Sequence, residues 1–202
     1  MPKRSRSSGN CWKRVRRKVD TRETRREFLI VCEGEKTEPN YFKRFRVPKH
    51  LIEVIGVGNN TMSLVREAMR LMKQGNYDQV WCVFDRDSFP AQNFNNAIRM
   101  AKAHNINVAY SNEAFELWYI LHFNYHDSAI SRQQYADMLK KLLGIPYKKN
   151  SLNMYDLLES RPANAIRNAE KLLKSYTPHN PARDNPCTTV HYLVQELNKF
   201  AT

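Results

Sequence analysis

The sequence predicts an α/β fold: a mainly parallel, four-stranded sheet flanked by helices, with a C-terminal helical extension. Apolar runs suited to β-strands occur at residues 28–32, 51–55, 79–84 and 106–110. Segments with helical spacing of apolar residues separate these runs, and the connections are short. This alternation is typical of right-handed βαβ units and parallel strands. After residue 111 the strand-like runs stop, and helical patterns continue.

Each predicted element has a local signal. The run from Phe28 to Cys32 is continuously apolar, which is typical of a strand buried on both faces of a sheet. Pro39 suits the first turn of a helix over residues 37–46, and Gly75 suits the end of a helix over 61–74. The segment 113–123 is almost wholly apolar, so its helix must be buried. We expect further helices over residues 91–104, 131–143, 151–160, 162–176 and 189–200, with a loop at 177–185.

Charge distinguishes the start of the chain from the rest. The formal net charge is +13, and residues 1–26 contain eleven Lys and Arg against only Asp20 and Glu23. Such a block repels itself but attracts a phosphate backbone, although a solvated tail that aids solubility is an alternative. We expect a flexible basic arm at 1–26, an α/β domain at 27–125 and a helical extension at 126–202 packed on it. The arm residues expected to bind nucleic acid are Arg14, Arg16, Arg17, Lys18, Arg25 and Arg26.

Composition argues against membrane and disulfide-rich classes. No apolar run approaches the roughly 20 residues that span a bilayer, and no apolar stretch follows the basic start as a signal peptide requires. The four cysteines lie far apart without a Cys-x-x-Cys pair, which disfavours a disulfide framework or a zinc ribbon. We therefore expect a cytoplasmic protein with no membrane partner.

Three acidic residues come directly after predicted strands. Glu33 follows the first strand, and Asp85 and Asp87 follow the third. Ligands of parallel sheets bind beyond the carboxyl ends of the strands, so these side chains are expected to converge at one edge. Carboxylates so placed suit hard cations such as Mg²⁺ or Mn²⁺, which support phosphodiester chemistry on nucleic acid. Neutralisation of the two aspartates by Arg86 is the structural alternative.

Other polar residues lie near these acids in the predicted fold. Glu113 and Glu116 are three residues apart and share a face of the predicted helix, so we expect Glu116 in catalysis and Glu113 as a metal ligand. For Glu113, a favourable interaction with the helix dipole is the alternative. Glu116 has apolar neighbours and needs a partner such as a cation, an arginine or His122. Lys36 is expected to contact a phosphate. His122 and His126 have zinc-site spacing without an evident third ligand, which favours a structural role.

Longer motifs carry a resemblance to a known family. Residues 28–42 read Phe-Leu-Ile-Val-Cys-Glu-Gly-Glu-Lys-Thr-Glu-Pro-Asn-Tyr-Phe, and residues 111–118 read Ser-Asn-Glu-Ala-Phe-Glu-Leu-Trp. His122-Phe123 follows, and Asn185-Pro186 precedes the last predicted helix. With these motifs the chain resembles the RloB family of bacterial phage-defence (abortive infection) proteins, from about residue 25 to residue 197. Glu-Gly after strand one and Asp-x-Asp after strand three also resemble the Toprim domain of topoisomerases, primases and overcoming-lysogenization-type nucleases.

The resemblance implies a Toprim-like fold and a Toprim-type metal centre. Glu33 would act as general base or ligand, with Asp85 and Asp87 as ligands. It further implies a nuclease that attacks tRNA or DNA in antiphage defence, with a neighbouring ATPase of the ABC or AAA type as partner. The chain has no room for the strand-passage domain of topoisomerases, and primase activity has no support in its motifs.

Three other functions fit parts of the pattern. A nucleic-acid-binding regulatory subunit would have the same fold and a non-catalytic metal site. In a haloacid-dehalogenase-like phosphatase, the nucleophilic aspartate follows the first strand, whereas Asp85 follows the third. A phospho-acceptor receiver domain needs a lysine after a fifth parallel strand, which the sequence does not provide. The metal-dependent nuclease accounts for the most residues.

Overall fold

The central sheet has five strands in the order β2-β1-β3-β4-β5. The computed structural model describes residues 26–58, 60–86 and 90–201. Its strands are β1 (Arg26–Cys32), β2 (Ile52–Gly56), β3 (Tyr77–Asp85), β4 (Asn107–Asn112) and β5 (Cys187–Thr188). The first four strands pair in parallel, and β5 runs antiparallel to β4. The predicted α/β fold with a mainly parallel sheet is confirmed.

The fifth strand corrects the expectation that strands stop after residue 111. β5 contains two residues and pairs Thr188 with Ser111 and Cys187 with Asn112. A strand this short leaves no alternating pattern in the sequence, since period-two patterning needs about four residues. The region predicted as a helical extension therefore also contributes an edge strand to the sheet.

The helices follow the predicted order with shifted ends. Both α1 and α4 are shorter than expected, at six residues each. In the described part of the chain the helices are α1 (Thr37–Phe42), α2 (Thr61–Leu71), α3 (Ala91–Ala103), α4 (Glu116–Leu121), α5 (Arg132–Leu143), α6 (Met154–Leu158), α7 (Pro162–Lys174) and α8 (Val190–Asn198). No helix among these is both long and apolar enough to cross a bilayer.

Helices cover both faces of the sheet. Along β1, Phe28, Ile30 and Cys32 belong to one buried cluster, whereas Leu29 and Val31 belong to the other. The first cluster contains apolar residues of α1, α4, α5, α7 and α8, and the second contains those of α2 and α3. This alternation follows from the period of two in a strand, and it confirms that β1 is buried on both faces.

Local signals fix the elements that surround the carboxyl edge of the sheet. The side chain of Asn60 caps α2 by accepting a 3.0 Å hydrogen bond from the backbone N–H of Ser63. Ser131 and Gln134 form a reciprocal capping box at the start of α5, and Gly144 ends that helix with a left-handed φ of 69°. These caps set where α2 and α5 begin, beside the ends of β1 and β3.

Candidate active site

Glu33 and Asp85 lie together at the carboxyl edge of the sheet. Glu33 directly follows β1, and Asp85 is the last residue of the neighbouring strand β3. The Oε2 atom of Glu33 accepts a 3.2 Å hydrogen bond from the backbone N–H of Asp85. Its Oε1 atom accepts a 3.1 Å hydrogen bond from the hydroxyl of Thr61, at the start of α2. Two donors from different elements therefore orient the Glu33 carboxylate.

A basic residue from the helical extension contacts Asp85. The Nη2 atom of Arg132 lies 3.3 Å from Oδ2 of Asp85 and 3.4 Å from the carbonyl oxygen of Glu113. Burial raises the pKa of Asp85 well above its usual range; the charge of Glu38 raises it further, and that of Arg132 lowers it. Arg86, the base expected beside the aspartates, donates from Nε to the carbonyl oxygen of Ala182. Sequence reasoning did not find Arg132, because it lies 47 residues from Asp85.

Glu38 is a further buried acid at this edge, and it is not among the site residues predicted from the sequence. Its side chain lies on α1 and is 6% exposed. Within the described residues, its Oε2 atom is buried without a hydrogen-bond partner. Burial raises the pKa of Glu38, and the nearby charge of Glu116 acts in the same direction. The sequence contained a signal that Glu38 lies near the site, since it follows Glu33 by five residues in the same motif.

Glu116 also belongs to this acidic group. It is buried at the start of α4, and its Oε1 atom accepts a 2.9 Å hydrogen bond from the hydroxyl of Tyr147. The expected need for a partner is therefore met by a tyrosine. The imidazole Nδ1 of His122 instead lies 2.9 Å from the carbonyl oxygen of Trp118.

Glu113 does not pair with Glu116 along a helix as expected. The helix begins only at Glu116, so Glu113 lies before it, and the predicted shared helical face is wrong. Burial raises the pKa of the Tyr135 phenol, and the negative charge of Glu113 raises it further. Glu113 contributes its backbone carbonyl, rather than its carboxylate, to the contact with Arg132.

A cavity of about 570 Å³ opens beside Glu33 and Glu38. The acidic residues in its wall are Glu33, Glu35 and Glu38, and the basic ones are Lys36, Arg132 and Lys149. Lys36 is exposed at the start of α1 and lines this cavity, and its contact with a phosphate stays a prediction. The cavity therefore presents both signs of charge to any group that enters it.

Some predicted site residues lie outside the described residues. These are Asp87 and the arm residues Arg14, Arg16, Arg17, Lys18 and Arg25, and only the backbone of Arg26 is described. The expectations for Asp87 as a metal ligand and for the arm as a nucleic-acid contact therefore stay predictions.

The chemistry of the donor set fits a hard cation. Carboxylate oxygens are the ligands that Mg²⁺ and Mn²⁺ prefer, and the buried, unsatisfied Oε2 of Glu38 lies among them. Across residues 26–58, 60–86 and 90–201, however, no group of three His, Cys, Asp or Glu side chains could hold a metal ion. His126 lies beyond the end of α4, so the zinc-type spacing with His122 does not fall on one helix.

The chain matches a model of a known protein family. The family model described as RloB-like protein matches residues 28–197, which is most of the chain. No curated protein and no solved structure matches. The matched range contains every residue of the cavity wall named above.

Proposed function

The chain belongs to the RloB-like family, and from this premise we propose that it is a metal-dependent nuclease with a Toprim-like fold. The contact between Glu33 and Asp85 carries the proposal, since it joins the ends of β1 and β3 at the edge where parallel sheets bind ligands. We propose further that the nuclease acts on tRNA or DNA as an effector of antiphage defence, together with a neighbouring ATPase of the ABC or AAA type.

Each acidic residue has a role in this proposal. Glu33, held by Thr61 and the backbone of Asp85, faces the cavity as the base toward an attacking water or hydroxyl. Asp85 and Asp87, with Glu38 or Glu116, would hold Mg²⁺ or Mn²⁺. When bound, such an ion supplies positive charge that stabilises the negative charge developing during phosphoryl transfer. Burial raises the pKa values of Asp85 and Glu38, and a bound cation would oppose this shift because nearby positive charge favours the ionised carboxylates.

One observation favours a second candidate, a nucleic-acid-binding regulatory subunit. Arg132 contacts Asp85 directly and supplies part of the positive charge that a metal would bring. A site neutralised in this way can keep its fold and bind nucleic acid without chemistry. The two candidates differ in whether the nucleic acid is cleaved when a divalent ion is present.

Cleavage by the purified chain, alone and with the protein encoded beside it, separates the candidates. Radiolabelled total tRNA and supercoiled plasmid are incubated with Mg²⁺, with Mn²⁺ or with EDTA, with and without ATP. A nuclease breaks one of them only when the divalent ion is present, and Glu33→Gln abolishes the break. Binding that persists in EDTA, with no break under any of these conditions, establishes the regulatory subunit instead.

A further inference from the structure

The loop between α5 and α6, residues 144–153, brings a basic residue of the helical extension to the cavity. We propose that Lys149 on this loop and Arg132 on α5 bind the phosphodiester backbone of the nucleic acid at the site of cleavage. The inference rests on the proposed function, and it makes the extension part of the substrate site. The α5–α6 loop would then supply the anion-binding side of the cavity. The residues at the ends of the strands would supply its acidic side.

Hydrogen bonds from several side chains fix the α5–α6 loop against the elements that carry the acids. The hydroxyl of Thr37 donates to the carbonyl oxygen of Lys149 over 2.9 Å, and the amide of Asn40 donates to that of Asn150 over 3.3 Å. The hydroxyl of Tyr147 donates to Glu116. The first of these contacts joins residues 112 positions apart in the sequence. The backbone beside Lys149 is therefore held at the cavity by both α1 and α4.

The charges around the cavity suit a phosphodiester. The side chain of Lys149 is exposed and lines the cavity, and its charge lowers the pKa of Glu38. Arg132 lines the same cavity, and a guanidinium has five N–H donors, so it can contact Asp85 and a phosphate oxygen together. A volume of about 570 Å³ accommodates one phosphate with its flanking sugars.

The same loop provides a matched control. Lys148 is exposed and adjacent in sequence to Lys149, but it does not line the cavity. Substitution of either lysine by alanine removes one positive charge from the same loop. A general electrostatic effect therefore changes both variants equally, whereas a contact inside the cavity changes only Lys149→Ala.

Binding is measured in EDTA, so that cleavage does not interfere. The probes are a fluorescein-labelled RNA hairpin and a single-stranded DNA of the same length, followed by fluorescence anisotropy with the full chain. We expect Lys149→Ala to weaken binding of at least one probe by about fivefold and to reduce the slope of log K against log salt by about one. Lys149→Arg restores most of the binding, and Lys148→Ala changes it by less than about twofold.

Arg132→Gln is the second variant, and it is expected to weaken binding similarly. Because Arg132 contacts a buried acid, the thermal unfolding of the Arg132→Gln variant is measured as well. If this variant fails to fold, Lys149→Ala still tests the inference. Equal effects of Lys149→Ala and Lys148→Ala overturn the inference, as does a wild-type chain that binds neither probe. Wild-type binding that depends on Lys149 without any cleavage supports the inference and rejects only the nuclease.

Discussion

The carboxylate of Glu33 accepts a hydrogen bond from the backbone N–H of Asp85, 52 residues later in the chain, over 3.2 Å. The ends of β1 and β3 are thereby joined through a side chain as well as through the sheet. Together with the hydrogen bond from Thr61, this contact orients Glu33, which lines the cavity.

Glu33→Gln is expected to reduce cleavage by about 10²–10⁴-fold, the usual contribution of a general base. The amide oxygen of Gln can still accept from Asp85 or Thr61, so the melting temperature is expected to change little. Cleavage rates and thermal unfolding are measured on the same preparation. Glu67→Gln is the control, because Glu67 lies on α2 in a surface ion pair with Arg70. Full activity of pure Glu33→Gln would remove Glu33 from the mechanism.

Tyr41→Phe is expected to destabilise the fold through one buried hydrogen bond. The indole Nε1 of Trp118 donates to the hydroxyl of Tyr41 over 2.9 Å, and both side chains are buried. Without the hydroxyl, the N–H group of Trp118 loses its acceptor, which costs about 1–3 kcal/mol. Urea denaturation should show a lower midpoint with an unchanged m-value. Tyr192→Phe, at a tyrosine that is 45% exposed, should leave the midpoint in place.

Stability is expected to fall in acid through His122. Burial lowers the pKa of His122 from 6.5 to about 4, so the unfolded chain binds a proton more readily than the folded one. The stabilisation is therefore complete above about pH 6.5 and is lost as the pH falls toward about 4, by roughly 3 kcal/mol. The free energy of unfolding is compared between wild type and His122→Asn across this range. Parallel curves for the two proteins would contradict the prediction, since other titrating groups are common to both.

Deletion of residues 1–25 is expected to weaken nucleic-acid binding and flatten its salt dependence. The deletion ends before β1, and it removes ten of the Lys and Arg residues of the arm. Fewer counterions are then released on binding, which lowers the magnitude of the salt slope. A full-length control carries Ser at Arg14, Arg16, Arg17 and Lys18, to separate charge from chain length. An unchanged slope in both variants would show that the arm does not contact the phosphates.

The sequence allowed the sheet to be predicted well because its strands are continuous apolar runs such as Phe28 to Cys32. The meeting of Glu33 and Asp85 also followed from the rule that parallel strands present their carboxyl ends at one edge. Tyr147 and Lys149 could not be placed, because a loop between helices carries no periodic signal of what it contacts. Arg132 begins α5, and helical spacing does not show which distant acid a residue will contact. β5 could not be predicted for a related reason, since its two residues form a strand only through their pairing with β4.

The pairing of β4 with β5 has a consequence for how the chain is made. The hydroxyls of Ser111 and Thr188 lie 3.0 Å apart across 77 residues of sequence. During translation, β4 leaves the ribosome long before β5, so the growing chain carries an unpaired sheet edge that can associate with other strands. Lys149 also emerges after all the acids of the cavity. The wall of the cavity therefore stays incomplete until the α5–α6 loop has been synthesised and has left the ribosome.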